Sequence, residues 1–321
     1  MMPIHRLFGL HLASDFPFAT PLRGADGFPE LSFSLCAEAP ATTFWKQSSP
    51  IYRSPRKSGD GDSTALLYRA PHFEVLRFPP LLDFYLWREN GRIACQLKAP
   101  NHQFLAEIRF LGPVLAYWLE GSGLPVLHAS AVAWGEQAAA FLSTHHGGKS
   151  GLAASLVQSG HSLLTDDLLP IEHRDRQFLA RPGYPQMRMW PDEATHFLGH
   201  YEDLPLVHPD LAKRRVPIGP NGFGSFHDAP LPLGCLYLLE RQPEGEAAIE
   251  ICDVSPRDAL IELLRHSFTP LLVEAAGLQP ARFDLLSRLV LQVPVKRLRY
   301  PSGFDRLPRV AEAVRRDFER C

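Results

Sequence analysis

The chain has 321 residues, 45% of them apolar, enough to bury one large core or two moderate ones. Its formal net charge of −2 excludes a general nucleic-acid binder, whose surface must be basic to neutralise phosphates. Cys36, Cys95, Cys235, Cys252 and Cys321 form an odd, widely spaced set that suits a reducing cytoplasm better than a disulfide framework.

No signal pattern opens the chain, because His5 and Arg6 follow soon after Met1. Residues 1–105 alternate short apolar patches with Pro and Gly turns, as in Phe73-Glu74-Val75-Leu76-Arg77-Phe78 and Phe84-Tyr85-Leu86-Trp87, and predict a strand-rich N-terminal domain. The 30 prolines of the whole chain favour many short elements. Ser54 to Ser63 carries no apolar residue and reads as an exposed loop. Phe104 to Leu119 has apolar positions at helical spacing and is expected to bridge to a second domain over 106–321. The most apolar stretch, Leu111 to Trp134, is broken by Glu120, several glycines and His128, so no membrane span or membrane partner is expected. No internal repeat is present.

Ala138 to Leu142 reads as a short buried strand. Lys149 to Ser159 reads as a helix with Leu152, Ala153, Leu156 and Val157 on one face, stopped by Gly160 at its C′ position. The segment between them, Ser143-Thr144-His145-His146-Gly147-Gly148-Lys149-Ser150-Gly151, has the outline of a phosphate-binding loop. Such a loop aims backbone N–H groups at phosphate oxygens, adds a lysine charge, and reaches magnesium with a hydroxyl. Gly148, Lys149 and Ser150 match G-x-x-x-x-G-K-[ST], whereas Ser143 stands where the first glycine belongs. Gly147 can supply backbone freedom that Ser143 and His146 lack.

His161 to Thr165 makes a second short strand that delivers Asp166 and Asp167 at its C-terminal end, the edge where open α/β sheets bind ligands. Adjacent carboxylates on extended chain point to opposite sides. One aspartate can therefore serve as base for an acceptor hydroxyl while the other orders magnesium or its waters. The plainer alternatives are a strand-to-helix turn without a ligand and a solvated turn at the aspartates.

Arg181, Arg188, Lys213, Arg214 and Arg215 follow as candidate substrate-binding cations, since arginine bridges phosphate or carboxylate in a bidentate manner. A run such as Lys213-Arg214-Arg215 is more commonly a solvated charge cluster. Ser255-Pro256-Arg257-Asp258 has the cap, first-turn proline and acidic third position of a helix start, running to about Phe268. A final helix is expected from about Leu307 to Glu319. Among the 14 histidines and five cysteines, no H-E-x-x-H or paired C-x-x-C spacing suggests zinc.

Leu127-His128-Ala129-Ser130-Ala131-Val132, the degenerate loop, Ser159-Gly160-His161 and Thr165-Asp166-Asp167 together resemble the catalytic domain of HPr kinase/phosphorylase. The resemblance is closest to the HPr-kinase-related proteins of peptide biosynthesis clusters, including lasso peptide kinases that phosphorylate a precursor peptide on serine. It continues through Ala180-Arg181-Pro182-Gly183-Tyr184-Pro185, Met189-Trp190-Pro191-Asp192 and Val293-Pro294-Val295 to Leu298-Arg299-Tyr300-Pro301, covering roughly Leu111 onward. It implies an α/β fold, α+β over the whole chain, with an HPr-kinase-like P-loop domain behind the strand-rich one. It also implies phosphate and magnesium roles for Gly148, Lys149 and Ser150, a base among Asp166 and Asp167, and His128 near the phosphate site. Asp167 is the aspartate assigned to the metal with Ser150.

The leading expectation is an ATP-dependent, magnesium-requiring serine kinase in the cytoplasm, acting on a biosynthetic precursor peptide or a protein. A small-molecule hydroxyl kinase and a non-catalytic nucleotide- or peptide-binding subunit stay open beside it. The ring of subunits formed by HPr kinase is not carried over, so the chain can be a monomer or a homo-oligomer.

Overall fold

Period-two alternation sets the first sheet. In Leu31–Cys36, Leu31 and Phe33 are buried while the residues between them are partly open, as a sheet with one covered face requires. The computed structural model describes residues 2–38, 48–59, 61–144, 147–243 and 248–320. Its first sheet has nine strands, ordered Arg23–Gly24, Ile4–Leu7, Leu10–Ser14, Leu31–Cys36, Arg92–Leu97, Leu82–Trp87, Glu74–Phe78, Leu66–Arg69 and Tyr52–Arg53. The strand-rich expectation for the front of the chain is met. Ser54 and Ser63, however, are buried, with Lys57 bridged to Ser63, so that stretch is not simply an exposed loop.

The chain divides into two compact units, Met1–Ser122 with Thr269–Pro280, and Gly123–Phe268 with Ala281–Cys321. The boundary expected at 105 thus moves to Ser122, and the helical segment read as a bridge belongs to the first unit. It comprises helices Gln103–Arg109 and Leu115–Gly121 around a wider turn, Phe110–Val114, that contains Pro113. Proline has no N–H to continue the ladder, so the helix is interrupted there. Its apolar residues cover the sheet: Phe110 stacks on Phe33 at 3.9 Å, and buried Glu107 accepts from the N–H groups of Ala19 and Thr20.

The second unit has a mixed nine-stranded sheet with helices on both faces, an α/β arrangement. Val126–Trp134 lies at its centre, pairing antiparallel with Gln137–Leu142, Ser162–Thr165 and Leu168–Arg174. Gln137–Leu142, Leu231–Gln242 and Val295–Pro301 run parallel to one another. Ala139 and Phe141 pack with helices Lys149–Gln158 and Leu307–Phe318. Ala138, Ala140 and Leu142 pack with helices Pro256–Arg265 and Gln279–Leu289. The alternation along one strand therefore feeds two cores, each large apolar side chain contributing about 1.5–3 kcal/mol.

A three-stranded sheet in the order Gln186–Met189, Leu211–Pro217, Leu206–His208 completes this unit. Among the described residues no helix is long and apolar enough to cross a membrane. Cys36, Cys95, Cys235 and Cys252 are free thiols.

Candidate functional site

Ser162–Thr165 and Gln137–Leu142 both run antiparallel to Val126–Trp134, so their carboxyl ends reach the same sheet edge. That topology brings the glycine loop and the aspartate pair together. Gly148 precedes helix Lys149–Gln158 with φ +90°, and a Cβ there would lie 2.5 Å from the Tyr300 hydroxyl. Gly147 lies so close to Ser143 that a Cβ would meet the serine Cβ at 2.5 Å. Glycine is required at both positions for these different reasons. The N–H groups of Lys149, Ser150 and Gly151 open the helix without intrahelical acceptors, since the first helical bond runs from Leu152 to Gly148. Ser143 is buried, and its hydroxyl donates to the Thr144 carbonyl at 3.1 Å. Thr144 is exposed at the loop, and Gly151 lies beside the Glu193 carboxylate. His145 and His146 lie outside the described residues.

The two aspartates share Arg188 but otherwise face different partners, on a bend after Ser162–Thr165 rather than on the extended chain expected. Asp166 accepts from Ser130 Oγ at 2.6 Å, Ser150 Oγ at 3.0 Å and the Arg188 N–H at 3.1 Å. Asp167 adopts φ +82°, unusual for a residue with a Cβ, and its carboxylate meets His128 Nε2 at 3.0 Å and Arg188 Nη1 at 2.8 Å. Ser150 thus pairs with Asp166 rather than with Asp167, to which the sequence reading assigned the metal. The cause is local. The positive φ at Asp167 turns its side chain away from the helix and towards His128.

Burial opposes ionisation of Asp167, but the hydrogen bond with His128 and the charge of Arg188 outweigh it and hold its carboxyl well below the usual carboxylate range. Burial lowers the Lys149 ammonium from its ordinary value, with Asp167 and Asp166 pulling the other way. Arg188 also donates to Tyr184 Oη at 3.3 Å, and burial raises the Tyr184 hydroxyl. His128 is half-buried, its ring edge-on to Phe268, and its N–H donates to the His266 carbonyl at 2.7 Å.

The remaining cations divide. Lys213 stands over the Trp190 ring at 5.7 Å and lines, with Gly147 to Ser150, Glu193 and Arg241, a cleft of about 140 Å³ over the loop. Arg214 donates to the Leu204 carbonyl and lies over Tyr201, and Arg215 is buried with its Nε on the Leu206 carbonyl. Arg181 pairs with Glu172 at 3.0 Å. Of the five expected substrate cations, Arg188 joins the carboxylate cluster and Lys213 the cleft, while Arg181, Arg214 and Arg215 serve neighbouring hairpins and loops.

Two further cavities adjoin the loop. One, of about 500 Å³, runs from Thr144 and Gly147 to Arg241, Glu262, His266 and Arg297. The other, of about 470 Å³, is lined by Gly148, Arg241, Tyr300 and Phe304. A larger one, of about 1090 Å³, lies along helix Leu307–Phe318 and contains neither the glycine-loop residues nor the aspartates.

Ser130, Tyr184 and Tyr300 lie within the resembling segments but were given no site role there, and Glu193 and Arg241 were not singled out. Ser130 carried a signal: it stands two residues from His128 on one strand and so shares its face. Among the described residues no cluster of three or more His, Cys, Asp or Glu side chains could hold a metal by itself.

No family model matches the chain, and no curated protein matches it. Among solved structures, the chain is similar to the HPr(Ser) kinase/phosphatase from Coxiella burnetii, with a TM-score of 0.32 and 12% identity, over 60% of this chain and 95% of that one.

Proposed function

We propose that the chain is an ATP-dependent phosphotransferase of the HPr kinase type that phosphorylates a serine hydroxyl. The observation that carries this reading is the convergence at one sheet edge of helix-opening N–H groups, Lys149, and two aspartates of which one meets Ser150 and the other His128. A helix N-terminus with free N–H groups and a lysine favours a polyphosphate. Phosphoryl transfer needs little beyond positioning and charge neutralisation, which is what such an edge provides.

Ser150 Oγ and Asp166 Oδ1, 3.0 Å apart, are hard oxygen donors that fit magnesium, an ion held by few protein ligands together with phosphates and water. They would hold the ion where it neutralises phosphate charge. Ser130 fixes the Asp166 carboxylate from the other side. Lys149 would lie against the phosphates, and the two aspartates favour its ammonium form against burial. Asp167 is assigned the acceptor proton. Its low proton affinity is tolerable because the transition state is loose, and the proton leaves late, when the attacking oxygen has become acidic. Arg188 and His128 orient this carboxylate.

The acceptor class, a serine of a biosynthetic precursor peptide such as a lasso peptide, rests on the resemblance of the motif segments. The test is transfer from radiolabelled MgATP to serine-containing precursor peptides, beside Lys149→Ala. Labelled phosphoserine made by wild type and absent with the folded variant supports the reading. MgATP binding without transfer to peptide or to free hydroxyl compounds would select the non-catalytic binding subunit.

A further inference from the structure

Arg241 and Tyr300 belong to neither the glycine loop nor the aspartate pair, yet both stand beside the loop. They end the parallel strands Leu231–Gln242 and Val295–Pro301, at the same edge as the loop, and are register partners. Partner residues on adjacent strands project to one face, here the face that carries helix Lys149–Gln158.

Tyr300 is 1% exposed, and its hydroxyl has no hydrogen-bond partner among the described residues. Buried hydroxyls are normally satisfied, so one without a partner points to a group that arrives on binding. The oxygen is aimed at the loop, 2.5 Å from where a Cβ on Gly148 would stand, and Arg241 Cδ is 3.7 Å from that same point. Arg241 is exposed, makes no ion pair among the described residues, and lines all three cavities that touch the loop.

We infer that Arg241 and Tyr300 bind the phosphate chain of a nucleoside triphosphate at the Gly148 end of the loop, as a second grip beside Lys149. The inference rests on the phosphotransferase reading and specifies two contacts it does not contain. Both groups are hydrogen-bond donors suited to anionic oxygen, and the guanidinium fork matches phosphate. Burial pushes the Tyr300 hydroxyl up to about 12 against the pull of Arg241, so it remains protonated and able to donate at neutral pH. The nearby Glu193 does not compete for them. Burial raises its carboxyl above the ordinary value, and its Oε2 already accepts from the Trp190 N–H at 2.9 Å.

The experiment is calorimetric titration of wild type, Tyr300→Phe and Arg241→Gln with MgATP and, separately, with magnesium tripolyphosphate. Loss of a contact to a charged oxygen predicts binding about tenfold weaker for Tyr300→Phe and about thirtyfold weaker for Arg241→Gln, by similar factors for both ligands. The unliganded Tyr300→Phe protein should melt no lower than wild type, because its hydroxyl has no partner to lose. Unchanged affinities in both variants would overturn the inference and leave the phosphotransferase reading intact. Weakened ATP binding with unchanged tripolyphosphate binding would also overturn it, by moving the contact to base or ribose. A lower melting temperature with unchanged affinity would assign Tyr300 to packing. If Tyr300→Phe fails to fold, exposed Arg241 carries the test alone. If wild type binds neither ligand, the phosphotransferase reading itself fails and the inference falls with it.

Discussion

Each unit contains a carboxylate, an arginine and a tyrosine joined in one cluster, and only one of these clusters has the features of a working site. In the first unit, buried Glu74 meets Arg69 at 2.9 Å, Arg88 at 3.2 Å and Tyr117 Oη at 2.7 Å. In the second, Asp167 meets Arg188, which reaches Tyr184. Burial raises both tyrosines, Tyr117 to about 12. The Glu74 cluster is closed on itself, because Arg88 spends its other N–H groups on the Trp118 and Tyr117 carbonyls. The Asp167 cluster instead sits on strained backbone, beside helix-opening N–H groups and a cleft. The kinds of residue in a buried cluster do not mark a site. Its adjacency to unspent donors and strained chain does.

The largest expected effect separates the two clusters most sharply. Lys149→Ala should lower phosphoryl transfer about a thousandfold, as removal of a charge-stabilising donor does, with an unchanged melting curve. Glu74→Gln should do the reverse, costing about 3 kcal/mol of stability in denaturant titration while turnover per folded molecule stays at wild-type level. Asp167→Asn should lower kcat about a hundredfold, whereas Asp166→Asn should chiefly raise the magnesium concentration needed. Equal, mild losses from both aspartate variants would erase the division of labour. Gly148→Ala should cost about 1–3 kcal/mol, through positive φ and collision with Tyr300, measured by thermal melting.

The smallest effect concerns pH. The folded-state pKa of Asp167 lies below its unfolded value, so its stabilising contribution is complete above the ordinary carboxylate range and is lost as pH falls through the depressed value. The stability difference between wild type and Asp167→Asn should therefore be constant near neutrality and shrink below about pH 4.

What was legible in the sequence was local. Apolar period two and period 3.6 located Gln137–Leu142, Lys149–Gln158 and Ser162–Thr165 to within a residue, and Gly160 ended the helix with φ +102°. Ser255 caps its helix by accepting from the Asp258 N–H, although that helix ends at Arg265, short of Phe268. The partners of the aspartates were not legible, because they follow from a positive φ at Asp167 that residue type disfavours. Tyr184, Arg241 and Tyr300 reach the edge on strands or turns far away in sequence, so no spacing rule could gather them. In the Lys213-Arg214-Arg215 run the three side chains meet different surroundings, and among them only Lys213 lines the cleft.

The first unit is not contiguous in the chain. Its helix Pro270–Ala275 packs on Leu115–Gly121, and the Ala276 carbonyl accepts from Arg69. During synthesis this piece leaves the ribosome after the glycine loop and both aspartates. The unit begun by the earliest residues must therefore wait, with the helix surface that Pro270–Ala275 packs on uncovered, until the later unit has largely been made. A fragment cut at Ser122 would keep that surface permanently open and should be prone to self-association.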